Sequence, residues 1–388
     1  MEELNIKNLF KSKQSFGLLI FFIGLFLLPS AFSISVIFIL ISLIISTFKF
    51  KDNYLDDVWN LPFLLSGVLL ILSSLIHTFS HNQLPNYDLN PSLTWVGLGN
   101  WLPFFWCFWG FQSYVDSPEK RRNCGLILIA GSFPVIISGL GQSFFNWDGP
   151  FQTLFGLITW YQRPIDNIFG LTGLFNNANY AGAWLNIVWP LCLASYAIKG
   201  SYARKVSTFF LLSIICLCIV LTNSRAAWLT LLTSTVLFFG KKCLKWMVPI
   251  TLLLSLIISS SISTILGSNI NKFLSNIIPT NIMKEFTNVS LERIDIWLSS
   301  IEILIKRPFF GSGVSAFNKI YLSETTNWVS HSHNLPIELS INYGIIAALF
   351  IIIPVIFICI KSYKIIFENH LQNNFFEKAW IISLISLV

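Results

Sequence analysis

The sequence predicts an all-α fold, a polytopic transmembrane helical bundle with one long extracytoplasmic loop, and three observations predict it. Hydrophobic residues make up 54% of the 388-residue chain and charged residues only 11%, against about 25% charged in an ordinary soluble domain. Apolar runs recur at 16–30, 31–48, 61–79, 96–115, 124–145, 178–198, 206–222, 226–240, 247–266 and 336–360. At roughly 20 apolar residues per crossing they supply ten spans, and an eleventh begins near Ala379. The basic residues, finally, gather on one side when the runs are threaded in order.

Two stretches need dividing. A single helix over 16–48 or 206–240 would be roughly 50 Å long, too long to cross a core of about 30 Å once. Each is therefore a hairpin, the first turning at Pro29-Ser30 and the second at Thr222-Asn223-Ser224-Arg225, residues suited to breaks and caps. No small-residue cleavage site follows the first run, which reads as a span and not as a signal peptide. The final run, AWIISLISLV at 379–388, gives only about 15 Å of helix, so the chain is expected to be a fragment whose last spans are missing.

These runs organise one membrane domain: spans 1–5 over 16–145, spans 6–9 over 178–266, an extracytoplasmic loop at 267–335, and carboxyl-terminal spans over 336–388. With a cytoplasmic amino terminus, only Arg163, Arg225, Lys272, Lys284, Arg293, Lys306, Arg307 and Lys319 of the 25 Lys and Arg fall outside. Six of those lie in the long loop, which orientation rules largely ignore. The net charge of +7 thus reflects membrane orientation, and no nucleic-acid partner is expected. All seven cysteines lie in or beside apolar runs, which shows neither a disulfide framework nor a CxxC metal site.

The loop from Gly267 to Leu335 far exceeds the usual helix connection of about 2 to 8 residues. Within it Ile294, Trp297, Leu298, Ile301, Leu304 and Ile305 recur at helical spacing among charged residues. This predicts an amphipathic helix capped by Ser290 and stopped by Pro308 and Gly311, able to lie on the outer membrane surface.

Several residues suit chemistry. His331 and His333 stand in the segment Ser330–Glu338 at the external start of a span. A histidine has a reference pKa of about 6.5 and accepts protons at neutral pH, so a general base fits, and so does an interfacial residue bonded to loop backbone. HSH has no metal-ligand spacing on a helical face, and no metal is expected. Arg225 has no acidic residue within ten positions. A guanidinium near membrane depth calls for an anion such as phosphate, or it snorkels to head groups. Arg293 suits a second clamp, and equally a surface salt bridge with the flanking Glu292 and Asp295. The glycines and amides of Gly170–Tyr180, with Asn177 and Asn179, suit a helix start or contacts to sugar hydroxyls. Aromatics from Trp95 to Phe111 suit stacking on sugar faces, and equally an interface belt or span packing. No phosphate-binding glycine loop and no external Asp-x-Asp pair is present, so neither nucleotide nor cofactor is expected.

In order and spacing, GLTGLFNNANYAGAWL at 170–185, TNSRAAWL at 222–229, ERIDIW with PFFGSG at 292–313, and HSHNLPIELSINYGI at 331–345 resemble the O-antigen ligase and O-antigen polymerase family. The resemblance implies transfer of a glycan from undecaprenyl diphosphate to an acceptor hydroxyl, on lipid A core or a growing polysaccharide. The transfer would take place at the outer face of the bacterial inner membrane, without metal and with inversion. It further implies that Arg225 binds the diphosphate, with Arg293 as second cation, and that His333 is the base or orients the acceptor. Asn177, Asn179, Asn334 and Glu338 are candidate substrate contacts. Many members carry an arginine shortly before the glycine of the GLF-N-N segment, whereas this chain has Leu171-Thr172 before Gly173 and its nearest arginine at Arg163. Whether Arg163 reaches the same site is a question for the structure. An alternative reading, transport of a small anion such as bicarbonate, would use Arg225 too, but predicts polar or broken helices near mid-membrane in both halves and some internal pseudo-repeat, whereas the first half is nearly free of ionisable residues within its apolar runs and no repeat is visible.

Overall fold

The computed structural model describes residues 13–50, 54–79, 92–165, 170–240, 243, 245, 292–325, 327–367 and 374–387. The expected span at 247–266, the loop from 267 to 291 and its capping Ser290 lie outside the described residues. The chain is mostly helical. Its helices are α1 (Lys13–Leu27), α2 (Phe32–Phe50), α3 (Asn60–Phe79), α4 (Ser92–Leu98), α5 (Leu102–Gly110), α6 (Pro118–Gly131) and α7 (Phe133–Phe145). A short hairpin, β1 (Phe151–Thr153) and β2 (Ile158–Trp160), leads to α8 (Ala178–Ala197), α9 (Tyr202–Leu221) and α10 (Arg225–Phe239). Then come α11 (Glu292–Lys306), α12 (Ala316–Thr325), α13 (Leu335–Tyr343), α14 (Ile345–Phe367) and α15 (Phe375–Ile385). Among the described residues, Asn60–Phe79, Pro118–Phe145, Tyr202–Leu221 and Ile345–Ile365 are long and apolar enough to cross a membrane.

Both expected hairpin turns form. Leu27 accepts from the backbone N–H groups of Ser30 and Ala31, and α10 starts at Arg225 just after the turn at Thr222 and Asn223. Two expected spans are instead broken. The run at 96–115 divides into α4 and α5, since the chain turns at Gly99–Trp101 and restarts with Pro103 in the first turn of α5. The run at 336–360 divides into α13 and α14 at Gly344, whose φ of +96° leaves the right-handed helical region. The β1–β2 hairpin is a departure from an all-helical chain; its strands are three residues each, too short for alternation to show in a sequence.

The chain forms two compact units, the first of Met1–Ser46, Ser113–Val289 and Lys361–Val388, the second of Thr47–Gln112 and Ser290–Ile360. In the first, α8 is the central element. Ala181, Leu185, Val188, Leu191 and Cys192 are buried in a cluster with Ile215 and Ile219 of α9, Ala227 and Leu231 of α10, and Ala379 and Ile382 of α15. Small residues bring α8 and α10 together, as is usual between membrane helices. A Cβ on Gly182 would lie 2.6 Å from the Ala227 methyl, and the Asn186 amide donates to the carbonyls of Gly182 (2.9 Å) and Ala227 (3.0 Å).

In the second unit, Phe63 of α3 packs on Phe105 and Phe108 of α5, with ring centroids 5.4 and 4.9 Å apart, which makes part of the aromatic run a packing element. The amphipathic helix is present as α11, ending before Pro308. It has two apolar faces where the sequence showed one. Ile296 and Ile303 are buried against Phe317, Ile320 and Tyr321 of α12 and Ile341 of α13. Of the expected stripe, Leu304 packs against this cluster, while Ile294, Trp297, Leu298, Ile301 and Ile305 remain exposed.

The α8–α10 crossing predicts that Gly182→Val destabilises the protein by about 1–3 kcal/mol, the usual cost of overpacking. Thermal unfolding in detergent, followed by tryptophan fluorescence, measures it. An unchanged midpoint contradicts the close approach.

Candidate active site

In the first unit, helix starts build the site. Asn177 caps α8 by accepting from the N–H of Asn179 at 2.8 Å. Ser224 caps α10, accepting from the N–H of Ala227 at 3.4 Å, while its hydroxyl donates to Asn179 Oδ1 at 2.7 Å. One hydroxyl thereby fastens the two helix starts together. Leu171 N–H donates to the Leu221 carbonyl at 2.8 Å, and Gly170 approaches the Thr222 carbonyl too closely to admit a Cβ. The Gly170–Tyr180 segment and the Thr222–Arg225 turn, far apart in sequence, are therefore one structure.

Arg225 is the first residue of α10 and is half-buried. Backbone N–H groups at a helix start favour an anion, and a guanidinium at the same point adds a planar, bidentate donor. The combination suits a phosphate group. Asn177 and Asn179, expected to contact substrate, are exposed, but their oxygens serve the helix starts.

Arg163 is brought beside Gly173 by a buried amide that the sequence reading passed over. Gln142, on α7 and 2% exposed, accepts from the N–H groups of Thr172 (3.2 Å) and Gly173 (2.7 Å). Its NH₂ donates to the Arg163 carbonyl (2.8 Å) and to Thr172 Oγ1 (2.9 Å). Arg163 N–H also donates to Thr172 Oγ1, at 3.2 Å. The Arg163 backbone is thus held next to Thr172 and Gly173, and its side chain is exposed. Gln142 is the one amide in the run at 124–145, and a buried amide in a span needs partners; that was the signal available.

The second unit holds His333, Asn334, Glu338 and Arg293. Asn334 caps α13 by accepting from Ile337 N–H at 3.1 Å. Glu338, expected to contact substrate, reaches back with Oε2 to the N–H of buried Ser332 at 2.8 Å, while the Ser332 hydroxyl donates to the Asn334 carbonyl at 3.1 Å. The carboxylate pins the loop that carries His333. His333 is exposed, has a left-handed backbone (φ 53°), and its ring lies 4.3 Å from that of His331. His331 Nδ1 is in turn 2.6 Å from Ser330 Oγ. Arg293 lies in the first turn of α11, and its side chain is outside the described residues.

The PFFGSG segment braces the break after α13: Ser312 N–H donates to the Ile341 carbonyl (2.6 Å) and Ile345 N–H to that of Pro308 (2.8 Å). His77, a third histidine that sequence reasoning missed, has Nε2 at 3.0 Å from the Phe310 carbonyl, to which Ser73 Oγ donates at 2.8 Å.

Residues 209–352 match the O-antigen ligase family. The match independently supports the family resemblance and covers three of its four motifs, those at 222–229, 292–313 and 331–345. It contains Arg225, Arg293, His333, Asn334 and Glu338; Gln142, Arg163, Asn177 and Asn179 precede it. No curated protein matches the chain. The family match and the apolar helices together make this a membrane protein.

Gln142→Leu keeps the side chain's bulk and strands the buried Thr172 and Gly173 N–H groups, each worth about 1–3 kcal/mol when unsatisfied. The expected outcome is a lowered unfolding midpoint and faster proteolysis between residues 161 and 176. Protection equal to that of the unmutated protein contradicts the bracing role.

Proposed function

We propose that the chain is an O-antigen ligase- or polymerase-type glycosyltransferase. It moves a glycan from undecaprenyl diphosphate to a hydroxyl of lipid A core or of a growing polysaccharide, at the outer face of the bacterial inner membrane. The single observation that carries the reading is the family match over residues 209–352, because it contains Arg225, Arg293 and His333. Anion transport finds no support, since the matched family is described as a ligase. The ten-span topology with a cytoplasmic amino terminus belongs to the same proposal.

The donor's anomeric carbon is already activated by its diphosphate. In the reaction the acceptor oxygen bonds to that carbon, the bond from carbon to diphosphate oxygen breaks, and the hydroxyl proton passes to the His333 imidazole. Undecaprenyl diphosphate departs with the electron pair. One direct displacement inverts the anomeric configuration. Arg225 and the N–H groups at the start of α10 hold the diphosphate and steady its growing charge, with Arg293 as a further cation. The position of Arg163 beside Gly173 supports its serving in place of the family's arginine. Asn177, Asn179 and Asn334 offer amide groups to sugar hydroxyls, and Glu338 holds the His333 loop. No metal or nucleotide takes part.

The test is complementation of a deletion strain, with envelope polysaccharide read by electrophoresis and carrier-linked glycan by extraction. His333→Ala should lower the transfer rate by about 10²–10⁴-fold, the usual worth of a general base, and Arg225→Ala by about 10²–10³-fold, as for a lost oxyanion donor. Arg225→Lys keeps the charge but not the bidentate geometry and should fall between. Carrier-linked glycan then accumulates, and a chelator leaves the rate of the unmutated enzyme unchanged. A normal polysaccharide ladder in both alanine variants defeats the assignment.

A further inference from the structure

The reaction assigns nothing to the β1–β2 hairpin, which is built unlike a solvated loop. Its register is closed by Phe151 opposite Trp160, Gln152 opposite Thr159 and Thr153 opposite Ile158. At its tip Phe155 is 110% exposed, Leu154 56%, Leu157 50%, and Phe151, in the strand, 48%. No charged residue occurs between Asp148 and Arg163. Leu154 and Phe155 both have left-handed backbones, with φ of 51° and 55°, a conformation that bulky side chains rarely adopt. Two consecutive apolar residues held in that region, and turned outward, ask for something to cover them.

The surroundings say what does. Trp160 Nε1 donates to the Ser30 carbonyl at 2.6 Å, and Ser30 lies in the turn joining α1 to α2. Tyr161 N–H donates to the Leu174 carbonyl at 3.2 Å, and Gly149 N–H to that of Gln162 at 2.8 Å. The base of the hairpin is thus fixed at an end of the helices. There the last turn of α7 and the residues after it add Phe144, Phe145 and Trp147, 61%, 72% and 47% exposed. In a membrane protein, helix ends mark the interface, where aromatic and aliphatic side chains without charge settle.

We propose that the tip of the β1–β2 hairpin inserts into the lipid bilayer, with Leu154, Phe155 and Leu157 seated at the boundary between headgroups and acyl chains. The occupant is bilayer lipid, because the exposed apolar surface continues from the ends of apolar helices and the hairpin itself, residues 149–162, carries no charge to meet a polar partner, the exposed Asp148 and Arg163 flanking its base. The insertion does not depend on the glycan-transfer reading.

Full-length protein in nanodiscs of phosphatidylethanolamine and phosphatidylglycerol tests it. A nitroxide is placed at Phe155→Cys or Leu157→Cys, with Glu119→Cys, an exposed charged position, as the aqueous reference and labelled unmutated protein as background for the native cysteines. Collision rates are measured with oxygen, which concentrates in lipid, and with a water-soluble nickel chelate. The expected result is an oxygen-to-nickel ratio at 155 and 157 several-fold above that at 119. Leu157 has an ordinary backbone, with φ of −64°, so its variant reports even where the strained position does not tolerate change. Nickel collisions as frequent as at 119 overturn the proposal, and so does protection from both agents, which means that protein covers the tip.

Discussion

The hydrogen bond from Ser224 to Asn179 is the contact on which the first unit's polar end depends. A helix leaves its first N–H groups without intrahelical partners, and where water is scarce the chain itself must supply them. Ser224 does this for α10 with its oxygen and uses its proton to hold the start of α8, which Asn177 caps. Arg225 inherits its position from this junction. With the Leu171–Leu221 backbone bond beside it, the junction fastens together two motifs that are separate in sequence.

The second unit applies the same constraint to a loop. Asn334 caps α13 and Glu338 returns to Ser332, so the left-handed His333 backbone is held from both sides. The break at Gly344 is sealed by close approach to Phe309 and by the Ile345–Pro308 bond. A span that read as continuous is in fact a short helix, a glycine joint and a long helix, and the joint is the point against which the PFFGSG segment rests. Polar side chains expected to touch substrate turn out to have backbone duties as well. The two roles are compatible for Asn177, Asn179 and Asn334, whose oxygens are committed while their amide NH₂ groups are separate donors.

Much of this was legible in the residues. The hairpin turns at Pro29–Ser30 and Thr222–Arg225 follow from length against bilayer thickness, and α11 follows from its spacing, because both depend on local chain geometry alone. Gly344 and Gly99 were present in the sequence too, but a glycine inside an apolar run is tolerated or breaking according to what packs on it. The second apolar face of α11 was hidden for a similar reason: Ile296 and Ile303 count as core only once α12 and α13 are placed against them. The β1–β2 hairpin leaves no periodicity to read.

The sequence by itself determined that this is a helical membrane protein, which residues on its polar segments are charged or titratable, and the motifs that contain them. Composition and spacing are properties of the chain in one dimension, and hydrophobic length is enough to decide for a membrane. Only the tertiary structure decided that Gln142 brings Arg163 to Gly173, that Ser224 joins two helix starts, and that Glu338 braces His333. Each of those is a hydrogen bond between residues whose partners are chosen by packing, and a buried polar group in a chain shows that it needs a partner without showing which.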